Sequence, residues 1–252
     1  MTITIERRFC GPSTSGNGGW TAGLLARALR AATGNEGPVT VRLSAPPPLD
    51  RPLDVTVEAA TDDGDALRTP IASLVDGGTV VASATAAAPL DGDPVPFVSL
   101  DAAAATAAHY VAPERHPFPR CFVCGPAREP GDGLRLTPGR LAPGLTACVW
   151  RPADALDGSR VGEPWVWAAL DCPGGWASEL LERPMVLGTM TAHVAHVPLP
   201  EQACVVTGRL DRAEGRRSWT STALWSADGE LLAQARAIWV QVDPAVFDTI
   251  LG

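Results

Sequence analysis

Asp171 stands alone in an apolar, tryptophan-rich stretch, Trp165-Val-Trp-Ala-Ala-Leu-Asp171-Cys-Pro-Gly-Gly-Trp176-Ala. Desolvation disfavours the charged form of a carboxylate among apolar side chains. An acid in that position either borders a water-filled cleft or is held there for chemistry. Glu179 and Glu182 follow on later turns, where a solvated helix end is the simpler reading. Pro173, two residues after the acid, removes a helical N–H. The carbonyl it frees can hold water beside Asp171, or the proline only bends the helix.

The other reactive groups carry weaker signals. Cys121-x-x-Cys124 is half of a zinc ligand set, and structural zinc takes four ligands. There is no second such pair, and His116 upstream brings the local ligands to three at most. A buried turn with free thiols is the simpler reading, so no metal site is assigned. The pair also lacks the strand and helix that flank a redox Cys-x-x-Cys. His193 and His196 lie three apart on a strand-like segment, so they point to opposite faces and do not readily share a metal. Thr189, Thr191 and His193 fall on one face of that segment; Met190, Ala192 and Val194 fall on the other. The apolar face should meet a helix. The Thr/His face lines a substrate channel or is simply wet. The chain has no Gly-x-Ser-x-Gly elbow and no phosphate-loop or dinucleotide fingerprint.

The elements that must position these groups occur twice. Gly18-Gly19 through Ala32 reads as a helix from its Ala and Leu content, with Gly34 as its stop. Val39–Ser44 alternates as a strand does, and Pro46-Pro-Pro follows. Strand-like runs come next at Leu53–Ala59, Ala66–Val75 and Thr79–Ala87, the last two joined by Asp76-Gly77-Gly78. The second half repeats the order. A helix is predicted from Pro164 to Leu181, then strands at Met185–Val197, Ala203–Leu210, Ser218–Trp225 and Leu231–Val240, with Asp228-Gly229 as the hairpin. Gly18 to Gly162 is 144 residues, Pro48 to Pro198 is 150 and Asp76 to Asp228 is 152. So long a period argues for two fused copies of one unit rather than a solenoid. We read residues 1–88 as the first unit, 89–116 as a proline-rich linker with a short Ala-rich helix, and 117–252 as the second. Each long helix must be packed on or wrapped by its antiparallel sheet, which makes the fold class α+β.

Composition bounds the rest. Hydrophobic residues make up 46% of the 252, enough for a large core. The net charge of -8 argues against nucleic acid as a partner. All 20 basic residues are Arg, a bias of composition without functional content. No apolar run approaches the ~18 residues of a membrane span, and the N-terminus lacks the apolar core of a signal peptide. A cytoplasmic location with reduced cysteines is therefore expected.

Three passages resemble hotdog-fold thioesterases, in their fused double-hotdog form. Cys121-Phe-Val-Cys-Gly-Pro with Gly133-Leu134 resembles the opening of phenylacetate-type hotdog thioesterases. Gly162, Leu170-Asp171 and Gly175-Trp176-Ala177 resemble that family's His-Gly-Gly, Leu-Asp and Gly-Trp-Ala stretch. Gly18-Gly19 with Ala26–Ala32 is similar to the N-terminal half of medium-chain acyl-CoA thioesterases.

The resemblance implies a double hotdog acting on acyl-CoA or an acyl-carrier thioester, with no metal or redox cofactor. It implies that Asp171 activates water or attacks the thioester carbonyl. The helix start at Asn17, Gly18 and Gly19 would hold the oxyanion, since a helix N-terminus offers free N–H donors and partial positive charge. A strand threonine, Thr189 or Thr191, would orient substrate, and Trp167 and Trp176 would wall an acyl cleft. Two departures make the site asymmetric. Val161-Gly162-Glu163 stands where the family has His-Gly-Gly, and the position 144 residues before Asp171 is Arg27. One live site, Asp171 with Asn17–Gly19, is therefore expected across the two units, beside one dead one. A non-catalytic acyl-binding scaffold is the rival class, and a hotdog dehydratase the third. Further pairing into a homo-oligomer stays open.

Overall fold

The computed structural model describes residues 1–58, 69–152 and 161–243. Ala59 and residues 66–68 of the predicted strands lie outside them. In chain order the first half holds β1 (Thr2–Thr4), α1 (Gly18–Thr33), β2 (Val39–Leu43), β3 (Pro52–Glu58), β4 (Ile71–Asp76) and β5 (Thr79–Ala86). A short α2 (Leu100–Ala105) precedes β6 (Gly139–Ala142) and β7 (Leu145–Trp150). Then come α3 (Glu163–Ala169), α4 (Cys172–Ala177), β8 (Met185–Val194), β9 (Cys204–Glu214), β10 (Arg217–Ser226) and β11 (Leu231–Gln241).

These strands form a single antiparallel sheet in the order β1-β3-β4-β5-β2-β8-β11-β10-β9-β7-β6. The order is nearly palindromic about the β2–β8 pair, where Val41 faces Met190. That seam turns two half-sheets into one and leaves neither with an open inner edge. Both hairpins fall where glycines permit positive φ: Gly77 at 53° and Gly78 at 89° between β4 and β5, and Gly229 at 85° between β10 and β11.

Local chemistry sets the ends of α1. The Asn17 side chain caps its start by accepting from the Trp20 N–H at 2.8 Å, and Gly34, at φ 69°, closes its end. Met190 and Ala192 are fully buried, as the strand alternation requires. The predicted second helix is broken. α3 ends at Ala169 and α4 begins at Cys172, because Pro173 has no N–H to continue the ladder. Asp171 therefore sits at the break rather than inside a continuous helix.

Helices α1 and α3 cross at backbone contact. A Cβ on Gly23 would lie 2.6 Å from the Pro164 Cα, and one on Gly19 would lie 2.7 Å from the Trp167 carbonyl oxygen. Phe9 stacks on Trp20 at 3.9 Å beside this crossing, with Phe122 and Trp165 edge-on to them. α2 and the segment before it form a second, separate cluster, where Phe97 and Ala103 cover Ala147, Val205 and Trp225. Among the described residues no helix is long and apolar enough to cross a membrane.

Because a methyl at position 23 has no room, Gly23→Ala should lower stability by ~1–3 kcal/mol in urea denaturation through overpacking. Unchanged stability would mean that the two helices are not in backbone contact.

Candidate active site

Asp171 lies where the two halves meet. Its Oδ2 accepts the Gly19 N–H at 3.1 Å and the Asn17 Nδ2–H at 2.9 Å. Chain positions 152 and 154 residues apart thus share one hydrogen-bonded cluster. Gly19 has to be glycine for this, since a Cβ there would lie 2.6 Å from the Asp171 Cβ. The N–H groups of Gly19 and Trp20 are both engaged, by Asp171 and by the Asn17 cap. The Gly18 N–H has no partner among the described residues. It is the one donor of the first turn left for a ligand.

The carboxylate is 2% exposed, and its second oxygen, Oδ1, is buried with no hydrogen-bond partner among the described residues. Burial raises its pKa to about 7; the Gly19 N–H and the Asn17 amide pull the other way, and charge on Cys121 adds to the rise. Near neutrality the group can therefore both take up and give up a proton.

Asp171 and Gly18 open onto a cavity of about 340 Å³ built from both halves. The first half contributes the Gly11–Gly18 and Leu43–Pro47 segments. The second contributes Asp171–Cys172, Met185–Gly188 and Trp239, with Phe118, Trp176 and Leu180 among its apolar walls. The volume is at the lower end for small-molecule sites, and a mostly apolar wall with a few convergent polar atoms suits an acyl or aryl tail.

The structure brings Asp171, Asn17, Gly18, Gly19 and Trp176 together and leaves three predicted residues elsewhere. Gly188 is an unpaired bulge between Leu187 and Thr189 in the β8–β11 pairing, so the strand's facing changes there. Met185 and Leu187 line the cavity, whereas Thr189 and Thr191 line a polar groove with Arg209, Asp211 and Trp219. Thr191 bonds Thr40 at 2.8 Å across the seam. Trp167 is fully buried under α1, donating to Glu163 at 3.1 Å. It is a core wedge and not a cleft wall. Strand β8 ends at Val194, so His196 lies beyond it.

At the other end of the α1–α3 crossing, Glu163 opens α3 and pairs with Arg30 at 2.9 Å. Arg27 is exposed. An ion pair thus occupies the helix start that the repeat sets against Gly19.

Four cavity residues were not picked out as site residues by sequence reasoning. Cys121 belongs to the Cys-x-x-Cys turn, read in the sequence as free thiols, Cys172 is an isolated cysteine, and Trp239, whose buried indole N–H has no partner among the described residues, carries no motif. His116 reaches the cavity although it lies 55 residues before Asp171. Its Nδ1 accepts the Phe118 N–H at 2.9 Å and its Nε2 faces the Tyr110 hydroxyl at 2.9 Å.

No protein-family model and no curated protein matches the chain. Solved structures do. A conserved protein of unknown function with a hot dog fold, from Alicyclobacillus acidocaldarius, aligns with a TM-score of 0.65 at 17% identity, over 96% of this chain and 93% of that one. Acyl-CoA thioesterase II TesB2 from Mycobacterium marinum gives 0.60 at 14% identity, over 97% and 93%. The dehydratase domain of a mycocerosic acid synthase-like polyketide synthase gives 0.64 at 14%, over 96% and 91%. The chain is a double hotdog, an α+β fold.

The raised pKa makes a stability prediction. The unfolded carboxyl ionises near 3.8 and the folded one near 7, so the folded state holds an extra proton between those values. The contribution of Asp171 to stability is full below about pH 4 and is lost as pH rises to 7. Asp171→Asn keeps an acceptor for Gly19 and Asn17 without the charge. It should be more stable than the parent by about 4 kcal/mol at pH 8, with the gap closing toward pH 4. Urea denaturation across pH reads this, and a gap independent of pH would contradict it.

Proposed function

We propose that the chain hydrolyses acyl thioesters of coenzyme A or of an acyl-carrier protein, with Asp171 as general base. The observation that carries the reading is a buried carboxylate lining a cavity, its Oδ1 and the nearby Gly18 N–H both without a partner among the described residues. Oδ2 is held by Gly19 and Asn17, which fixes the direction in which Oδ1 points. Oδ1 takes a proton from water as the water oxygen bonds to the thioester carbonyl carbon. The carbonyl oxygen gains negative charge and is held by the Gly18 N–H at the positive end of α1. The carbon–sulfur bond then breaks, the proton on Asp171 passes to the departing thiolate, and carboxylic acid and thiol leave. Thioester hydrolysis needs no electron acceptor, and the apolar wall excludes competing water from the tail. Asn17 is a positioning residue, since it touches Asp171 rather than the reacting atoms.

One observation favours a lyase as a second reading: His116 borders the same cavity as Asp171. Burial lowers its pKa to about 4, so it is neutral, and both ring nitrogens already have partners. Proton transfer by His116 would first require it to leave Tyr110 or Phe118.

Thiol release from a panel of short- and medium-chain acyl-CoAs is expected for the parent chain, with kcat/KM rising tenfold per pH unit below about 7 and flat above it. Asp171→Asn should lower kcat by at least ~100-fold. Binding without thiol release would support a scaffold instead. Dehydration of a 3-hydroxyacyl thioester without thiol release would support the lyase.

A further inference from the structure

The fold gathers three cysteines that the sequence keeps 3 and 51 residues apart, Cys121, Cys124 and Cys172. Their sulfurs all lie within 4.8 Å of one another, and all three residues line the cavity. The Cys121 and Cys172 sulfurs are 3.8 Å apart. Two Zn–S bonds of ~2.3 Å at a tetrahedral angle set their sulfurs ~3.8 Å apart as well. A disulfide would need them at ~2.05 Å.

The turn around Cys121 is built as a metal knuckle. The turn closes on Gly125, where a Cβ would lie 2.5 Å from both the N and the O of Cys121. It is fixed from outside by Phe122 N–H to the Cys10 carbonyl at 2.7 Å and Leu136 N–H to the Val123 carbonyl at 2.8 Å. Trp176 donates to the Cys124 sulfur at 3.5 Å, and Asn17 approaches the Cys121 sulfur at 3.9 Å. Donors to sulfur of this kind are what metal thiolates require around them.

We propose that Cys121, Cys124 and Cys172 bind a Zn²⁺ ion as three thiolates, with the fourth tetrahedral position turned to the cavity. His116 is not the fourth ligand in this arrangement. Its Nδ1 accepts the Phe118 N–H, which leaves the proton on Nε2, the nitrogen 3.5 Å from the Cys124 sulfur. Loading brings together one Zn²⁺ and three thiols and releases their three protons to solvent. The ion would fasten the knuckle to Cys172, the residue next to Asp171, and so brace the break between α3 and α4. This assignment does not depend on the thioester reading.

Metal analysis of the native chain, with Co²⁺ replacement followed by absorption, tests it. The expected result is one Zn²⁺ per chain and, with Co²⁺, an intense near-ultraviolet thiolate charge-transfer band with visible tetrahedral bands. Cys121→Ser and Cys172→Ser should each lose the charge-transfer band. Cys148→Ser and Cys204→Ser, outside the cluster, should keep it. His116→Ala should leave the visible bands unmoved; a shift would overturn the open fourth position. Circular dichroism separates loss of metal from loss of fold, and the parent chain gives the result by itself. A parent chain that holds no zinc and gives no cobalt band overturns the proposal. So does a band that survives both cluster variants, or a Cys121–Cys172 disulfide as the main species after purification without reductant.

Discussion

A carboxylate 2% exposed, resting on the first turn of a helix from the other half of the chain, is the contact on which the rest of the site depends. Asp171 can be there only because α1 and α3 touch backbone to backbone. That contact needs the glycines at 19 and 23, which leave no room for a side chain. It also needs the β2–β8 seam, which joins the half-sheets so that both helices pack on one continuous sheet. Burial disfavours the charge, while the helix N-terminus and the Asn17 amide favour it. The balance leaves the group close to neutral pH, where a base is most useful.

Fusion lets the two halves diverge. In a symmetric pair each helix start would face an equivalent acid. Here one crossing end holds Asp171 against Gly19, and the other holds the Arg30–Glu163 pair. The ion pair is partly buried and bidentate contact is absent, so its role is better read as closing that end than as a large contribution to stability. The same asymmetry shapes the cavity, which takes its floor from the broken second helix and one wall from the segment preceding α1.

Much of the architecture was legible because it rests on local chemistry. Asn17 and Gly34 mark the ends of α1, Asp76-Gly77-Gly78 and Asp228-Gly229 mark hairpins, and the spacing of these signals exposes the repeat. Asp171 was legible as a charge in an apolar run, and the helix start at Asn17–Gly19 entered as its partner through the hotdog thioesterase resemblance, with Arg27 marking the asymmetry. What failed was register and tertiary gathering. Alternation assigned Thr189 and Thr191 to one face correctly, but could not say that the bulge at Gly188 places that face away from the cavity. Trp167 and Trp176 look alike in the chain. The Pro173 break separates them, so one enters the core and the other the cavity. Cys172 gave no sign in sequence that it would join the Cys121 turn, because 51 residues of chain separate two sulfurs that end 3.8 Å apart.

The central claim is that substrate carbonyl and attacking water meet between the Gly18 N–H and Asp171 Oδ1. It is tested most directly by a crystal structure with a coenzyme A analogue in which a methylene replaces the thioester sulfur and the carbonyl is kept. The account predicts the carbonyl oxygen at ~3 Å from the Gly18 nitrogen, a hydrogen-bond distance. It also predicts a water bonded to Oδ1 on the face of the carbonyl carbon, and the acyl tail against Leu187 and Trp239. A carbonyl bound away from α1, or an Oδ1 hydrogen-bonded to a protein group with no room for water, would contradict it.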